Sequence, residues 1–204
     1  MDKILNIGVL VSGSGSNLQS ILDACAEGKM KARVACVISN KADAYGLERA
    51  RLAAIPALHL DHRAHSGRES YDQALVATLR EFGVELVALA GFMRIITPVL
   101  LDAFPMAVMN IHPALLPAFP GLHAQRQALE YGAKVAGCTV HFVDPGTDTG
   151  PIIIQAAVPL LEGDTEQTLS ARIQKEEHRI YPEAIRLFAE GLLEVAGRKV
   201  AVGA

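Results

Sequence analysis

The chain predicts a single α/β domain, an open and mostly parallel sheet with helices on both faces, and three observations carry that expectation. Short aliphatic runs alternate with amphipathic stretches, each amphipathic stretch is long enough to cross back to a neighbouring strand, and the polar residues with useful chemistry gather where an aliphatic run stops. The first strands are expected at Ile4–Val11, Ala32–Ile38, Glu85–Ala90 and Ala107–Ile111, nearly unbroken in aliphatic residues as strands covered on both faces are. Between them, Leu18–Glu27, Tyr45–Ala54 and Arg68–Phe82 have helical spacing; Leu18, Ile21, Leu22 and Cys25, for example, share one face.

The second half continues with a proline-rich loop, Pro113–Pro120, a helix at Ala124–Tyr131, and strands at Lys134–Phe142 and Pro151–Val158 on either side of Asp148. Asp164 followed by Gln167 reads as a helix cap, and the apolar spacing of Leu169, Ile173, Ile180 and Ile185 predicts one long helix, kinked at Pro182. No repeat, low-complexity tract or linker interrupts the chain. One domain is therefore expected over residues 1–197, with 198–204 as a short, loosely held tail.

At 204 residues, 50% hydrophobic and 20% charged, the composition is that of an ordinary globular enzyme domain. The formal net charge of −3 gives no electrostatic case for nucleic acid or an anionic membrane, so the expected partners are small molecules, with the chain a monomer or homodimer. Cys25, Cys36 and Cys138 are odd in number and lack metal-ligand spacing, which predicts reduced and mostly buried thiols. The N-terminus runs straight into an apolar strand rather than a signal-peptide core, and no apolar run has the length of a membrane span. A cytoplasmic location is expected.

The chemistry concentrates in Met109-Asn110-Ile111-His112-Pro113 and in Asp148-Thr149-Gly150-Pro151. Pro113 stops a helix or central strand, so Asn110 and His112 are expected at a strand's carboxyl end, where open α/β sheets build their sites. An amide can hydrogen-bond the oxyanion of a tetrahedral intermediate, an imidazole can donate to it or carry a proton, and a carboxylate can hold that imidazole. Together these are the parts for moving an acyl group onto an amine, with no nucleophilic Ser or Cys beside them. Taken singly, each is equally a strand or turn cap.

The turn Gly13-Ser14-Gly15-Ser16-Asn17-Leu18 begins like a dinucleotide fingerprint but has Leu18 where the third glycine belongs, and no P-loop lysine follows. A strand, a Gly/Ser turn and a helix start remain, an arrangement suited to a phosphate monoester. The plainer reading is a tight connection capped by Ser16 or Asn17. The run His59, His62, His65 with Asp61 is read as a solvated polar loop rather than a metal site, and no metal is expected. His141 is expected close to the active site.

Six stretches in order carry a resemblance: Val11-Ser12-Gly13-Ser14-Gly15-Ser16-Asn17, Ser39-Asn40-Lys41-Ala42-Asp43, Leu89-Ala90-Gly91-Phe92-Met93-Arg94, Asn110-Ile111-His112, Pro120-Gly121-Leu122-His123 and Glu177-His178-Arg179-Ile180-Tyr181-Pro182. From about Ile4 to about Glu194 the chain resembles the formyltransferases that use 10-formyltetrahydrofolate, in particular the branch of purine synthesis that acts on glycinamide ribonucleotide. The resemblance implies a Rossmann-like formyltransferase fold and transfer of a formyl group from 10-formyltetrahydrofolate, as cosubstrate, to the amine of 5-phosphoribosylglycinamide. It implies Asn110, His112 and Asp148 as catalytic residues. Gly15, Ser16 and Asn17 would take the ribose phosphate, and Gln174, Lys175, Glu176 and Glu177 would lie beside the same substrate. The folate would meet Arg68, Met93, Arg94, Ile95, Ile96, Asn110, Asp144 and Asp148, with Arg68 toward its benzoylglutamate end.

Two related activities share the Asn, His and Asp. A formyltetrahydrofolate hydrolase is expected to carry a preceding regulatory domain, and a methionyl-tRNA formyltransferase a further basic C-terminal domain; neither is expected here. A non-catalytic nucleotide-binding module is the alternative from another class, and it has no need of all three catalytic side chains.

Overall fold

The computed structural model describes residues 3–203; Met1, Asp2 and Ala204, the extremes of the expected domain and tail, lie outside the described residues. The chain divides into two compact units, Met1–Asn110 and Ile111–Ala204.

In the first unit the strands are β1 (Leu5–Val11), β2 (Ala32–Ser39), β3 (Ala57–His59), β4 (Leu86–Leu89) and β5 (Val108–His112), the last crossing into the second unit. Their order is β3-β2-β1-β4-β5 and every neighbouring pair is parallel. The aliphatic runs explain this: Ile7, Val9, Leu10, Val11, Ile38 and Leu86 are buried without regard to alternation, the signature of strands covered on both faces. Helices α1 (Ser16–Ala26), α2 (Tyr45–Leu52) and α3 (Arg68–Glu81) fall where the periodicity predicts them, and a short α4 (Pro98–Ala103) begins with proline at its first position. Strand β3 and helix α4 are too short to show a period, and neither was expected.

The second unit holds α5 (Ala124–Tyr131), β6 (Val135–Phe142), β7 (Ile152–Pro159), α6 (Glu166–Ala189), β8 (Leu193–Ala196) and β9 (Lys199–Val202). β6 and β7 are antiparallel, β9 runs parallel to β7 through Ile152 and Lys199, and β8 and β9 form an antiparallel hairpin. Helix α6 packs on β6 and β7, burying Leu169, Ile173, Ile180, Tyr181, Ala184 and Ile185.

Two local expectations are corrected. Residues 199–202, expected in a loose tail, are strand β9, and Arg198 in the hairpin turn donates to the Thr149 carbonyl at 2.8 Å. The cap of α6 is Thr165, which exchanges hydrogen bonds with Thr168 in a capping box, while Asp164 accepts both Arg172 guanidinium nitrogens at 2.7 and 2.9 Å. An acid with a nearby arginine satisfies that cation rather than the helix end, and the Arg172 guanidinium holds the Asp164 carboxyl well below the usual range. Pro182 lies inside α6, which continues past it to Ala189. The thiols are as expected: Cys36 and Cys138 are buried, Cys25 is half-buried, and all three are free. Burial raises each of them, Cys36 and Cys138 to about 12.

Candidate active site

Asn110 and His112 are the third and fifth residues of β5, two apart on a strand and therefore directed to the same face. His112 ends the strand, and the loop that follows returns to it. Phe119 adopts φ 54°, outside the usual range for a side-chain-bearing residue, and its carbonyl oxygen lies 2.9 Å from His112 Nε2. A carbonyl can only accept, so Nε2 carries the proton and Nδ1 is left for the other side of the ring. There Asp148 Oδ2 stands 3.4 Å away, a long contact between a 6% exposed histidine and a 14% exposed carboxylate side chain.

Asp148 is anchored more tightly to main chain: Gly121 N donates to the same Oδ2 at 2.8 Å. Its other oxygen faces His141 Nε2 at 3.8 Å, beyond hydrogen-bond length. Burial holds His141 below the ordinary imidazole range, so at pH 7 it is neutral, with Nδ1–H donating to the Phe142 carbonyl at 2.9 Å. Asp148 itself has φ 54° and ends a turn in which Asp144 accepts from Gly146 N and from the Thr149 hydroxyl at 3.1 and 2.6 Å. His112, His141 and Asp148 thus form one cluster.

The segment after His112 is pinned by Thr139, which is wholly buried. Its hydroxyl donates to Ala114 O at 2.7 Å and accepts from Leu116 N at 3.1 Å and from Gln155 Nε2 at 3.0 Å, while Gln155 also donates to Leu116 O at 2.9 Å. The sequence reading missed Thr139, Gln155 and the Phe119 and Gly121 main-chain groups. The last two were detectable only in outline, as a Phe-Pro-Gly turn whose backbone must double back.

In the first unit, Gly15 precedes α1 with φ 69°, a left-handed conformation that favours glycine. The N-cap position is Gly15 itself, so the alternative in which Ser16 or Asn17 serves as the cap is overturned; both belong to the first turn of the helix. The turn is held from α2: Gly46 N donates to Gly13 O at 3.0 Å, and Arg49 Nε donates to Ser14 O at 2.8 Å. A Cβ on Gly15 would lie 2.7 Å from Gly46 Cα. Gly15→Ala therefore combines an unfavourable φ with a backbone clash and must displace the turn. We expect the substitution to lower the melting temperature by several degrees, which thermal denaturation checks.

Of the remaining candidates, Arg68 is the exposed first residue of α3. Met93 and Ile95 are 65% and 63% exposed, Ile96 is buried, and the Arg94 guanidinium lies over the Tyr71 ring, 5.2 Å from its centre. On α6, Gln174 and Lys175 are exposed, Glu176 pairs with Arg179, and Glu177 is buried. Gln174 and Glu177 thus differ in burial despite their spacing. The histidine run is a solvent-facing connection after β3, as expected: His59 is exposed at the strand end, and His62 and His65, half-buried, also pack edge-on against Tyr71 at 6.3 and 5.5 Å between ring centres. Among the described residues no group of three or more His, Cys, Asp or Glu is placed to hold a metal ion.

A parallel α/β architecture, and a buried imidazole beside a carboxylate at the end of a strand, fit the class of group transferases. The chain belongs to the formyl transferase family, whose model matches residues 5–185. It is 50% identical over 191 residues to the phosphoribosylglycinamide formyltransferase of Escherichia coli (strain K12), covering 94% of this chain and 90% of that one. It is also 50% identical over 189 residues to the trifunctional purine biosynthetic protein adenosine-3 of Drosophila pseudoobscura pseudoobscura, covering 92% of this chain but 14% of that much longer protein. The crystal structure of glycinamide ribonucleotide transformylase 1 from Symbiobacterium toebii shares the fold with a TM-score of 0.99 and 62% identity, over 100% of this chain and 96% of that one.

Proposed function

We propose that this protein transfers the formyl group of 10-formyltetrahydrofolate to the amine of 5-phosphoribosylglycinamide, giving formylglycinamide ribonucleotide and tetrahydrofolate in purine biosynthesis. The observation that carries the reading is the His112–Asp148 pair, in which Phe119 O fixes the proton on Nε2 and Nδ1 faces the carboxylate at 3.4 Å. High identity over nearly the full length of a named formyltransferase supports the same substrates.

In this mechanism the neutral amine attacks the formyl carbon directly, and no covalent bond to the protein forms. The carbonyl oxygen becomes an oxyanion that Asn110 stabilises by donation and protonated His112 by its positive charge. Asp148, directly or through water, supports the charged imidazole and accepts the proton leaving the amine; the bond from carbon to N10 then breaks and N10 takes up a proton. Gly15, Ser16 and Asn17 hold the phosphate at the positive end of α1, and Gln174, Lys175, Glu176 and Glu177 attend the ribose and glycinamide. Arg68 pairs with a glutamate carboxylate of the folate, Met93–Ile96 supply an apolar wall for its pterin, and Asp144 shapes the turn that carries Asp148. We assign this activity to residues 1–197. No helix among the described residues is long and apolar enough to cross a membrane, and we place the enzyme in the cytoplasm.

The test is formyl transfer with purified protein, followed by folate absorbance with and without glycinamide ribonucleotide. Acceptor-dependent turnover is expected. Equal folate breakdown without acceptor would make the protein a hydrolase, and binding of both ligands without turnover would make it a binding module.

A further inference from the structure

The segment Met93–Ile96 is held at both ends by buried side chains that no assignment above uses. At its start, the Ser12 hydroxyl donates to Asn40 Oδ1 at 2.6 Å and accepts from Met93 N at 2.9 Å, while Ser12 N donates to Gly91 O at 3.1 Å. Ser12 and Asn40 are each 5% exposed. At its end, Asp72 on α3 accepts from both Thr97 N and the Thr97 hydroxyl on one oxygen, Oδ2, at 2.7 Å each. Asp72 is 2% exposed, a carboxylate on the helix face shared by Leu75, Val76 and Leu79.

Between these anchors the side chains separate sharply. Phe92 and Ile96 are buried and fix the depth of the segment, Arg94 is drawn over Tyr71, and Met93 and Ile95 stand in solvent. Met93 and Ile95 thus present apolar side chains to solvent from a segment fixed at both ends. Because Met93 N–H is already used by Ser12, this residue can offer a ligand its carbonyl and side chain but not its amide proton.

We propose that Asp72, with Ser12 and Asn40, is a positioning residue for the folate: the two anchors hold Met93–Ile96 in its binding shape before the cosubstrate arrives. This deepens the function proposed above and rests on it. A preformed wall spares the ordering cost that a loose loop would charge against binding, so the anchors act on folate affinity and leave the transfer step alone. The carboxylate works here as a doubly accepting oxygen and not as a charge.

The last point separates the substitutions. In Asp72→Asn the amide oxygen can take the place of Oδ2 and receive both Thr97 donors, whereas Asp72→Ala leaves two buried donors without a partner. Ser12→Ala releases Met93 N at the other end. Thr97→Val, which removes only the hydroxyl bond, is the gentler variant should Asp72→Ala fold poorly.

Steady-state kinetics on the full chain, with 10-formyltetrahydrofolate varied at saturating glycinamide ribonucleotide and then the reverse, would be joined by calorimetric titration with tetrahydrofolate. Asp72→Ala and Ser12→Ala are expected to raise the folate KM and the tetrahydrofolate Kd by about tenfold or more, and Thr97→Val by less, with kcat and the acceptor KM within about twofold of wild type. Asp72→Asn is expected to restore the folate KM. Wild-type folate KM in Asp72→Ala or Thr97→Val, or a parallel loss in both substrates, would overturn the anchoring role while leaving the formyltransferase reading intact. A wild-type protein that neither turns over nor binds tetrahydrofolate would overturn both.

Discussion

Asp148→Asn is expected to lower formyl transfer by about 10²–10⁴-fold while leaving folate binding and thermal stability close to wild type. The geometry makes this substitution unusually clean. Asp148 Oδ2 is the oxygen that both Gly121 N and His112 Nδ1 face, so an amide oxygen placed there keeps the main-chain bond. The new NH₂ then points toward His141 Nε2, in place of the oxygen that stands 3.8 Å from it. What disappears is the negative charge that, in the proposed mechanism, supports a protonated His112 and takes the proton released by the amine. Turnover within a few-fold of wild type, in a variant of unchanged melting temperature, would remove Asp148 from the mechanism.

Gly150→Ala is expected to damage both stability and turnover, and for a different physical reason. A Cβ at Gly150 overlaps the carbonyl oxygen of Phe142, the same oxygen that accepts from His141 Nδ1. The clash is with backbone on both sides, because Phe142 N donates to Pro151 O at 2.9 Å and ties the end of β6 to the turn. No rotamer relieves it; the turn must move away from β6, and Asp148 moves with it. Overpacking of this kind costs about 1–3 kcal/mol, or roughly 2–10 °C in melting temperature for a chain of this size. Thermal denaturation beside a turnover assay checks the pair, and a variant unchanged in both would show that the turn has room to open.

The sequence was a good guide wherever a long period or an abrupt stop marks the chain. The aliphatic runs of β1, β2, β4 and β5 and the helical faces of α1, α3 and α6 repeat often enough to be read directly, and Pro113 announces the strand end that carries His112. Short elements leave no such trace: β3 has three residues and α4 six, less than two full turns of a helix. Site residues divided in the same way. His112, His141 and Asp148 were legible because polar side chains stand out against apolar flanks. Phe119 O and Gly121 N were not, because every residue has a carbonyl and nearly every one an N–H, and only the folded loop decides which of them meets His112 or Asp148. Asp72 lies between: an acid on the apolar face of α3 is a visible anomaly, but its partner Thr97 is far along the chain and had no mark of its own. Asp164 misled for the opposite reason, since its local pattern suggested a cap and Arg172 claimed it instead.

The burial of Cys36 and Cys138 has a consequence for how the molecule ages. A thiol raised to about 12 is ionised in roughly one molecule in 10⁵ at neutral pH, and it is the thiolate that oxidants and electrophiles attack. Cys25, half-buried and raised as well, gains little reactivity from its partial exposure. The folded chain therefore handles an activated one-carbon unit without a sulfur nucleophile available to intercept it, and its cysteines become vulnerable to oxidation only when the fold opens.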